Sequence, residues 1–476
     1  MSDELPKGWA SARLEEIVTK KKGKKPAVLR DTPALGFVPY LDIHAIEKNV
    51  VRQFAEVKSS KLAAKDDLFV VWDGARSGWV GGGITGAIGS TIMALTAQQA
   101  ESRYVRHFIA SQFQTLNNNT RGTGIPHVDP EVFWNLEIPL APLAEQRRIV
   151  AKLEMLLGKV DASQQRLAKI PVLLKRFRQS VLAAACSGRL TADWQEENPA
   201  NETSEDLLSK VLKQRADMWK RSGRKGACPE APMADTSSLP DVPHGWAWIP
   251  LGILGASPFE TVQTGPFGAL LHKEEFTASG VPVVAVGNLT GMGFTKEGLY
   301  FVSDAKAEQL ARFDIQAGDV LFARSGATLG KVCVAPPDAK DWRMTGHILR
   351  ARLNRHFLLP DFCVFALRGD PAVTRQVFGS VQGTTRPGYN TTLLESIALP
   401  LAPLPEQQEI VRRVEGLFAL ADQLELRLAK ARGQVEKLTP SLLARAFAGQ
   451  LVPQDPTDEP AEKLLERIRG VGKGKA

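Results

Sequence analysis

Cysteine is scarce: four residues in 476, Cys186, Cys228, Cys333 and Cys363, lie far apart with no C-x-x-C pair. That spacing excludes a disulfide framework and a cysteine-ligated zinc site, and the four thiols read as buried. The seven histidines show no ligand spacing, so a metal site has no support. Long apolar runs are missing too. None approaches the roughly 18 residues that a membrane-spanning helix needs. The opening MSDELPKGWA lacks the basic stretch followed by an apolar one that marks a secretory signal, so a cytoplasmic protein without a membrane partner is expected. Acidic excess is absent as well. Lysine and arginine number 60 against 52 acidic residues, and the net charge of +8 favours capture of a polyanion.

The patterns of catalysis are equally thin. GATLGKV (Gly326 to Val332) has one residue too few between its glycines for a phosphate-cradling loop, and Val332 stands where a metal-binding hydroxyl belongs. GGGITG (Gly81 to Gly86) fits a dinucleotide pattern literally, but no strand-loop-helix context follows, and a turn between strands is favoured. No Asn or Asp is followed by Pro-Pro and an aromatic residue, the loop that adenine methyltransferases use to hold their target amine; APPD (Ala335 to Asp338) has a different order. EVK (Glu56 to Lys58), with Asp42 upstream, imitates the end of a nuclease metal motif but reads as solvated surface. No catalytic, cofactor-binding or metal-binding residue is therefore expected in this chain.

What the sequence does contain is a duplication. IPLAPLAEQRRIV (Ile138 to Val150) recurs as LPLAPLPEQQEIV (Leu399 to Val411), an offset of 261 that also carries Gly122-Thr123 onto Gly383-Thr384 and Gly188 onto Gly449. The half-starts PKGWA (Pro6 to Ala10) and PHGWA (Pro243 to Ala247) match at an offset of 237, so the front parts differ by a net insertion of 24 residues. Those front parts hold short β-branched runs broken by Gly, Pro and Asn, which reads as globular domains dominated by strands. The back parts are helical with a strict heptad. Ile410, Val414, Leu417, Ala421, Leu424, Leu428, Ala431, Val435 and Leu438 repeat 261 residues earlier as Ile149, Leu153, Leu156, Val160, Ser163, Leu167, Ile170, Leu174 and Phe177. Two such helices are expected to pack as a coiled coil. Pro171 and Pro440 predict kinks or breaks. Val150, Leu157, Val411 and Phe418 lie outside the seam and widen the apolar stripe, which marks them for partner helices, while Arg147, Arg148, Lys152, Arg412 and Arg413 read as a solvated face.

The expected order is a first head at 1–142, a long helix at 143–190, a short helix and flexible linker at 191–241, a second head at 242–403, a second long helix at 404–450 and a basic tail at 451–476. The class is α+β, an internal tandem duplication with pseudo-two-fold symmetry and two antiparallel coiled-coil helices between the heads. Two heads held by matched helices suit B-DNA, which presents the same groove every ~34 Å or about 10 base pairs, so a bipartite target with an unread spacer is expected. Divergence of the heads predicts unlike half-sites. Cationic and hydroxyl side chains on Gly-flanked loops are suited to phosphates and base edges. They are Lys21, Lys22, Arg76, Ser77, Arg121, Thr123 and His127 in the first head, and Thr264, Lys273, Arg324, Ser325, Thr384, Thr385 and Arg386 in the second. The triplets Arg76-Ser77-Gly78 and Arg324-Ser325-Gly326 follow similar strands and so read as a matched pair.

The repeated PLAPLAEQRRIV and PLAPLPEQQEIV segments, QSVLAAACSGRLTADW (Gln179 to Trp194) and the LPKGWA and VPHGWA half-starts resemble the specificity subunit of type I restriction-modification systems over essentially the whole chain. TGPFG (Thr264 to Gly268) and GTTRP (Gly383 to Pro387) are similar to recurring elements of that family's target-recognition domains. The first head departs from them, with KKKGKKP (Lys20 to Pro26) and GTGIP (Gly122 to Pro126) in their places. The resemblance implies double-stranded DNA as ligand and two methylation subunits held by the helical regions. It implies two restriction and translocation subunits in the full complex, with S-adenosylmethionine, ATP and magnesium on those partners and none here.

Overall fold

The computed structural model describes residues 5–122, 124–200, 202–228, 236–267, 270–291, 293–324, 330–379 and 390–473. The chain divides into two compact units: Met1–Lys169 with Leu428–Ala476, which is discontinuous in sequence, and the continuous Ile170–Arg427. Each unit holds one head and a part of each long helical region.

Both heads share one strand plan. In the first, a four-stranded antiparallel sheet runs in the order Val18–Lys22, Ile92–Ala97, Leu68–Val71, Val80–Gly82, and in the second Val262–Thr264, Ile348–Ala351, Val320–Ala323, Val332–Val334. The central runs LFVV and VLFA are apolar without interruption because both faces are buried. Leu68 and Val70 point into one core while Phe69 and Val71 point into another, and Val320 and Phe322 part from Leu321 and Ala323 in the same way. A second sheet in each head contains one parallel pair, Phe37–Leu41 with Gly86–Ile88 and Val281–Val284 with Trp342–Met344. The first head adds Leu29–Arg30 at its edge. GGGITG spans the turn from Val80–Gly82 to Gly86–Ile88.

Paired registers locate the 24-residue difference. The offset between equivalent residues climbs from 237 at Trp246 and Trp9 to 242 at Thr264 and Lys22, 252 at Asp319 and Asp67, 256 at Ile348 and Ile92, and 261 at Glu406 and Glu145. It accumulates as several loop insertions around an unchanged sheet.

The motifs that reveal the duplication seat each head on a helix. Trp9 Nε1 donates to Glu145 Oε2 at 3.1 Å, and Trp246 Nε1 donates to Glu406 Oε2 at 2.7 Å. Both indoles and both carboxylates are buried. Gln146 donates to Ala141 O at 2.8 Å and accepts from Glu101 N, as Gln407 donates to Ala402 O at 2.7 Å and accepts from Leu359 N. Burial lifts the Glu145 carboxyl above its ordinary range, with the Trp9 N–H and Arg148 working against it. The glycines after the helices have positive φ, +73° at Gly188 and +69° at Gly449. A Cβ there would lie 2.4 Å from Pro243 and 2.5 Å from Pro6, so each closes onto the proline of a half-start.

The first long helix runs Leu143–Cys186, about 66 Å at 1.5 Å per residue, and the second Leu404–Glu436, followed by Leu438–Phe447. They are antiparallel. Arg178 pairs with Asp422 at 2.5 Å and Glu425 at 2.7 Å, while the earlier Leu167 accepts at its carbonyl from the later Arg432 at 3.1 Å. Seam residues Ile149, Leu153, Val160 and Leu174, and Ile410, Val414, Ala421 and Leu428, are buried.

Two expectations need correction, and a third holds. Pro171 does not break its helix: it withholds an amide from the Leu167 carbonyl, and the Arg432 guanidinium supplies a donor there instead. Pro440 acts as expected: the second helix breaks at Lys437, and Pro440, third in Leu438–Phe447, has no amide for the carbonyl of Glu436, the residue that ends Leu404–Glu436. The apolar residues outside the seam are not left for partners. Val150 is buried in the first head's core with Leu157 packed on it, and Val411 and Phe418 pack on the second head's core, Phe418 edge-on to Phe365 at 6.3 Å.

Candidate nucleic-acid interface

The functional question is what each sheet presents where its first strand ends. Gly23 N donates to Ile92 O at 3.0 Å, and Gly265 N donates to Ile348 O at 3.0 Å, so Gly23 of KKKGKKP and Gly265 of TGPFG occupy one structural position. Both glycines are sterically required. A Cβ on Gly23 would lie 2.0 Å from Gly89 O, and one on Gly265 would lie 2.1 Å from Thr345 O.

In the first head, cations and aromatic rings gather at this end. Lys20 Nζ lies 4.6 Å from the Trp134 ring centre and Lys22 Nζ 5.8 Å from that of Trp72; the two indoles stack at 5.8 Å. Lys22 pairs with Asp73 at 2.7 Å, and His127 Nδ1 lies 2.7 Å from the same carboxylate. Lys21 donates to Leu62 O at 3.0 Å, and Arg76 pairs with Glu47 at 3.3 Å. Arg121 pairs with Asp129 at 2.6 Å and Glu131 at 3.0 Å, and its hydrogen bond to Asp129 raises its pKa further above the ordinary guanidinium value. Thr123 lies outside the described residues.

Ser77 corrects the sequence reading. It is fully buried, its Oγ 2.7 Å from Gly74 O, 3.0 Å from Pro126 O and 3.3 Å from Trp72 O, so its hydroxyl ties the loop after Val71 to the backbone at Pro126. The RSG triplets are not equivalent either. Asp67 and Asp319 cap the same turn before the central strand, accepting from Ala64 N at 3.0 Å and Gln316 N at 2.8 Å. Counting from them puts Arg324 at the place of Trp72, four residues before Arg76.

In the second head the cation and the ring trade places. Arg324 lies 4.6 Å from the centre of Phe267, which is 56% exposed, and its amide donates to His347 O at 2.9 Å. Thr264 ends the first strand, and its hydroxyl, like that of Thr345, is buried with no hydrogen-bond partner among the described residues. Lys273 is exposed in the short turn Lys273–Glu275. Ser325, Thr384, Thr385 and Arg386 lie outside the described residues.

Sequence reasoning missed Lys20, Trp72, Asp73, Trp134 and Phe267. Lys20 and Phe267 stood inside motifs already quoted, whereas Trp134 had no sequence signal because a fold of more than a hundred residues brings it to Lys20. Among the described residues no group of three or more His, Cys, Asp or Glu could hold a metal, and no helix is long and apolar enough to cross a membrane.

Comparison with known proteins bears on the family and the fold. The chain is 26% identical over 507 residues to the type I restriction enzyme EcoKI specificity subunit of Escherichia coli K12, covering 98% of this chain and 96% of that one. It is 23% identical over 461 residues to the MjaVIII specificity subunit of Methanocaldococcus jannaschii, covering 94% of each. A chain solved in work on complex assembly and conformational transition of the type I R-M system shares the fold at a TM-score of 0.64, with 20% identity, over 94% of this chain and all of that one. The HsdS subunit from Thermoanaerobacter tengcongensis does so at 0.55, with 19% identity, over 94% and 98%. The model of the type I restriction modification DNA specificity domain matches twice, at residues 6–172 and 267–430, and the chain therefore belongs to the family of type I restriction-modification specificity subunits.

Proposed function

We propose that this chain binds a bipartite, asymmetric double-stranded DNA site, one half-site to each head, and positions methyltransferase and restriction subunits on it. The observation that carries this reading is the repeated sheet whose first strand ends, in both heads, in a close-packed glycine beside a cation-aromatic pair. Cations and planar rings suit phosphates and bases. The two ends differ in side chains, Lys22, Asp73, His127 and Trp72 against Arg324 and Phe267, and unlike readers call for unlike half-sites. In this reading the chain recognises DNA in the cytoplasm without catalysing, two methylation and two restriction subunits join it, and S-adenosylmethionine, ATP and magnesium sit on those partners.

The test is to co-express the chain with its methylation subunit and map modified adenines by single-molecule sequencing. A two-part motif with unlike halves and a fixed spacer is the expected result. A continuous or palindromic motif, or a stable complex with no motif, overturns the proposal.

A further inference from the structure

Asp73 stands between two of the candidate DNA-binding side chains of the first head. Its Oδ2 accepts from Lys22 Nζ at 2.7 Å, and its Oδ1 lies 2.7 Å from His127 Nδ1. The backbone fixes both partners. Asp73 and His127 form an antiparallel bridge, Val128 N donates to Trp72 O at 2.9 Å, Gly74 N donates to Pro126 O at 2.8 Å, and the buried Ser77 hydroxyl joins the same two loops. Gly122, at φ +101°, leaves room for the imidazole: a Cβ there would lie 2.7 Å from Ile125 O and 3.1 Å from His127 Cδ2. An ionised carboxylate only accepts, so Nδ1 carries the hydrogen facing Asp73. Nε2 is then the ring's free hydrogen-bonding position; it has no partner among the described residues, on a side chain that is 49% exposed.

Resting on the reading of the heads as DNA readers, we propose that Lys22, Asp73 and His127 form a base-reading point of the first head, with Asp73 as the positioning residue that fixes the His127 tautomer and aims Nε2 at a base edge. A base edge fits better than a phosphate because the carboxylate at the centre of the trio repels phosphate oxygens, whereas base edges offer both donors and acceptors. The trio belongs to this head alone. The strand registers and the 261 offset put Thr264, Ser325 and Gly388 at the corresponding sequence positions, so its effect falls on one half-site.

The experiment compares methylation motifs of the full complex carrying the wild-type chain, His127→Ala, Asp73→Ala and Asp73→Asn. His127→Ala and Asp73→Ala are expected to relax preference at one or two adjacent positions of one half-site by at least tenfold and to leave the other half-site unchanged. Asp73→Asn keeps an oxygen facing Nδ1 and is expected to restore most of that preference. Should Asp73→Ala fail to assemble, His127→Gln, which leaves the Asp73–Lys22 pair in place, carries the test. Unchanged motifs in the alanine variants, or an even fall in methylation at every site, overturn the proposal, the latter by marking a phosphate contact or a purely structural role. A wild-type complex that methylates with no motif overturns the reading of the heads, and this proposal with it.

Discussion

Asp67 and Asp319 hold the same place in the two heads, both buried and both capping the turn that launches the central strand, yet their remaining bonds differ in kind. Asp67 accepts from the Thr96 hydroxyl at 2.6 Å. At the position that corresponds to Thr96 the second head has Arg352, which donates to Asp319 Oδ1 from Nε at 2.9 Å and to Oδ2 at 2.8 Å, and reaches Asp314 at 3.0 Å; Arg350 joins at 2.7 Å. Burial works against the Arg352 charge, but Asp319 and Asp314 outweigh it and hold its pKa above the ordinary value. Burial and the neighbouring Arg352 pull Arg350 below it. One backbone device is thus completed by a neutral bond in one head and by a charge network in the other. The network ties several residues together, because removing one partner strands a buried charge.

That contrast can be broken directly. Arg352→Ala is expected to destabilise the second head by about 3 kcal/mol, whereas Thr96→Val in the first costs about 1 kcal/mol, since only the former leaves a buried carboxylate, that of Asp319, without its cation. Urea unfolding of the two variants measures the difference, and equal losses would mean that the network is no stronger than a single hydroxyl bond.

The helix anchors allow a second comparison. Glu406 receives Trp246, Thr191 at 2.7 Å and Gln195 at 2.5 Å, while Glu145 receives Trp9 and its Oε1 is buried without a partner among the described residues. Replacing the indole by phenylalanine keeps an aromatic ring and removes the N–H. Trp9→Phe is expected to cost about 2–3 kcal/mol and Trp246→Phe about 1 kcal/mol, because only Glu145 loses its sole hydrogen bond. Thermal melts of both variants decide the order.

The smallest effect concerns a position whose charge differs between the copies. Arg148 pairs with Asp458 at 2.5 Å in one unit; its counterpart Glu409 accepts from Arg412 and Arg413 at 2.6 Å in the other. These hydrogen bonds hold the Glu409 carboxyl down from 4.5 to about 2. Its contribution is present above the unfolded value near 4.5 and is lost as pH falls from there through about 2. The pair lies at the edge of solvent, so the amount is below about 1 kcal/mol. Glu409→Gln is expected to flatten the acid limb of stability against pH over that window, and an unchanged limb would rule the pair out as its source.

Much of the architecture was legible because duplication and heptads are local patterns repeated at a fixed offset. The identity of Gly23 with Gly265 was also within reach, since KKKGKKP and TGPFG fall at the same distance from their half-starts to within a few residues. The site was less legible. Ser77 looked like a loop hydroxyl but is buried, because the turn around Pro126 folds back over it from 49 residues away. The RSG triplets matched as letters and not as positions, since loop insertions moved the register between them. Val150 and Phe418 looked unpartnered because the surfaces that cover them come from the heads.

The sequence alone determined that there are two heads, that each is followed by a heptad helix, and that the heads differ by loop insertions, for these follow from periodicity and self-comparison. Only the tertiary structure decided that Trp9 closes on Glu145 across 136 residues, that Arg432 answers the carbonyl left open by Pro171, and that Asp73 joins Lys22 to His127. Each of these is a hydrogen bond between groups distant along the chain. Its formation depends on which backbone surfaces packing brings within about 3 Å, and no local pattern encodes that distance.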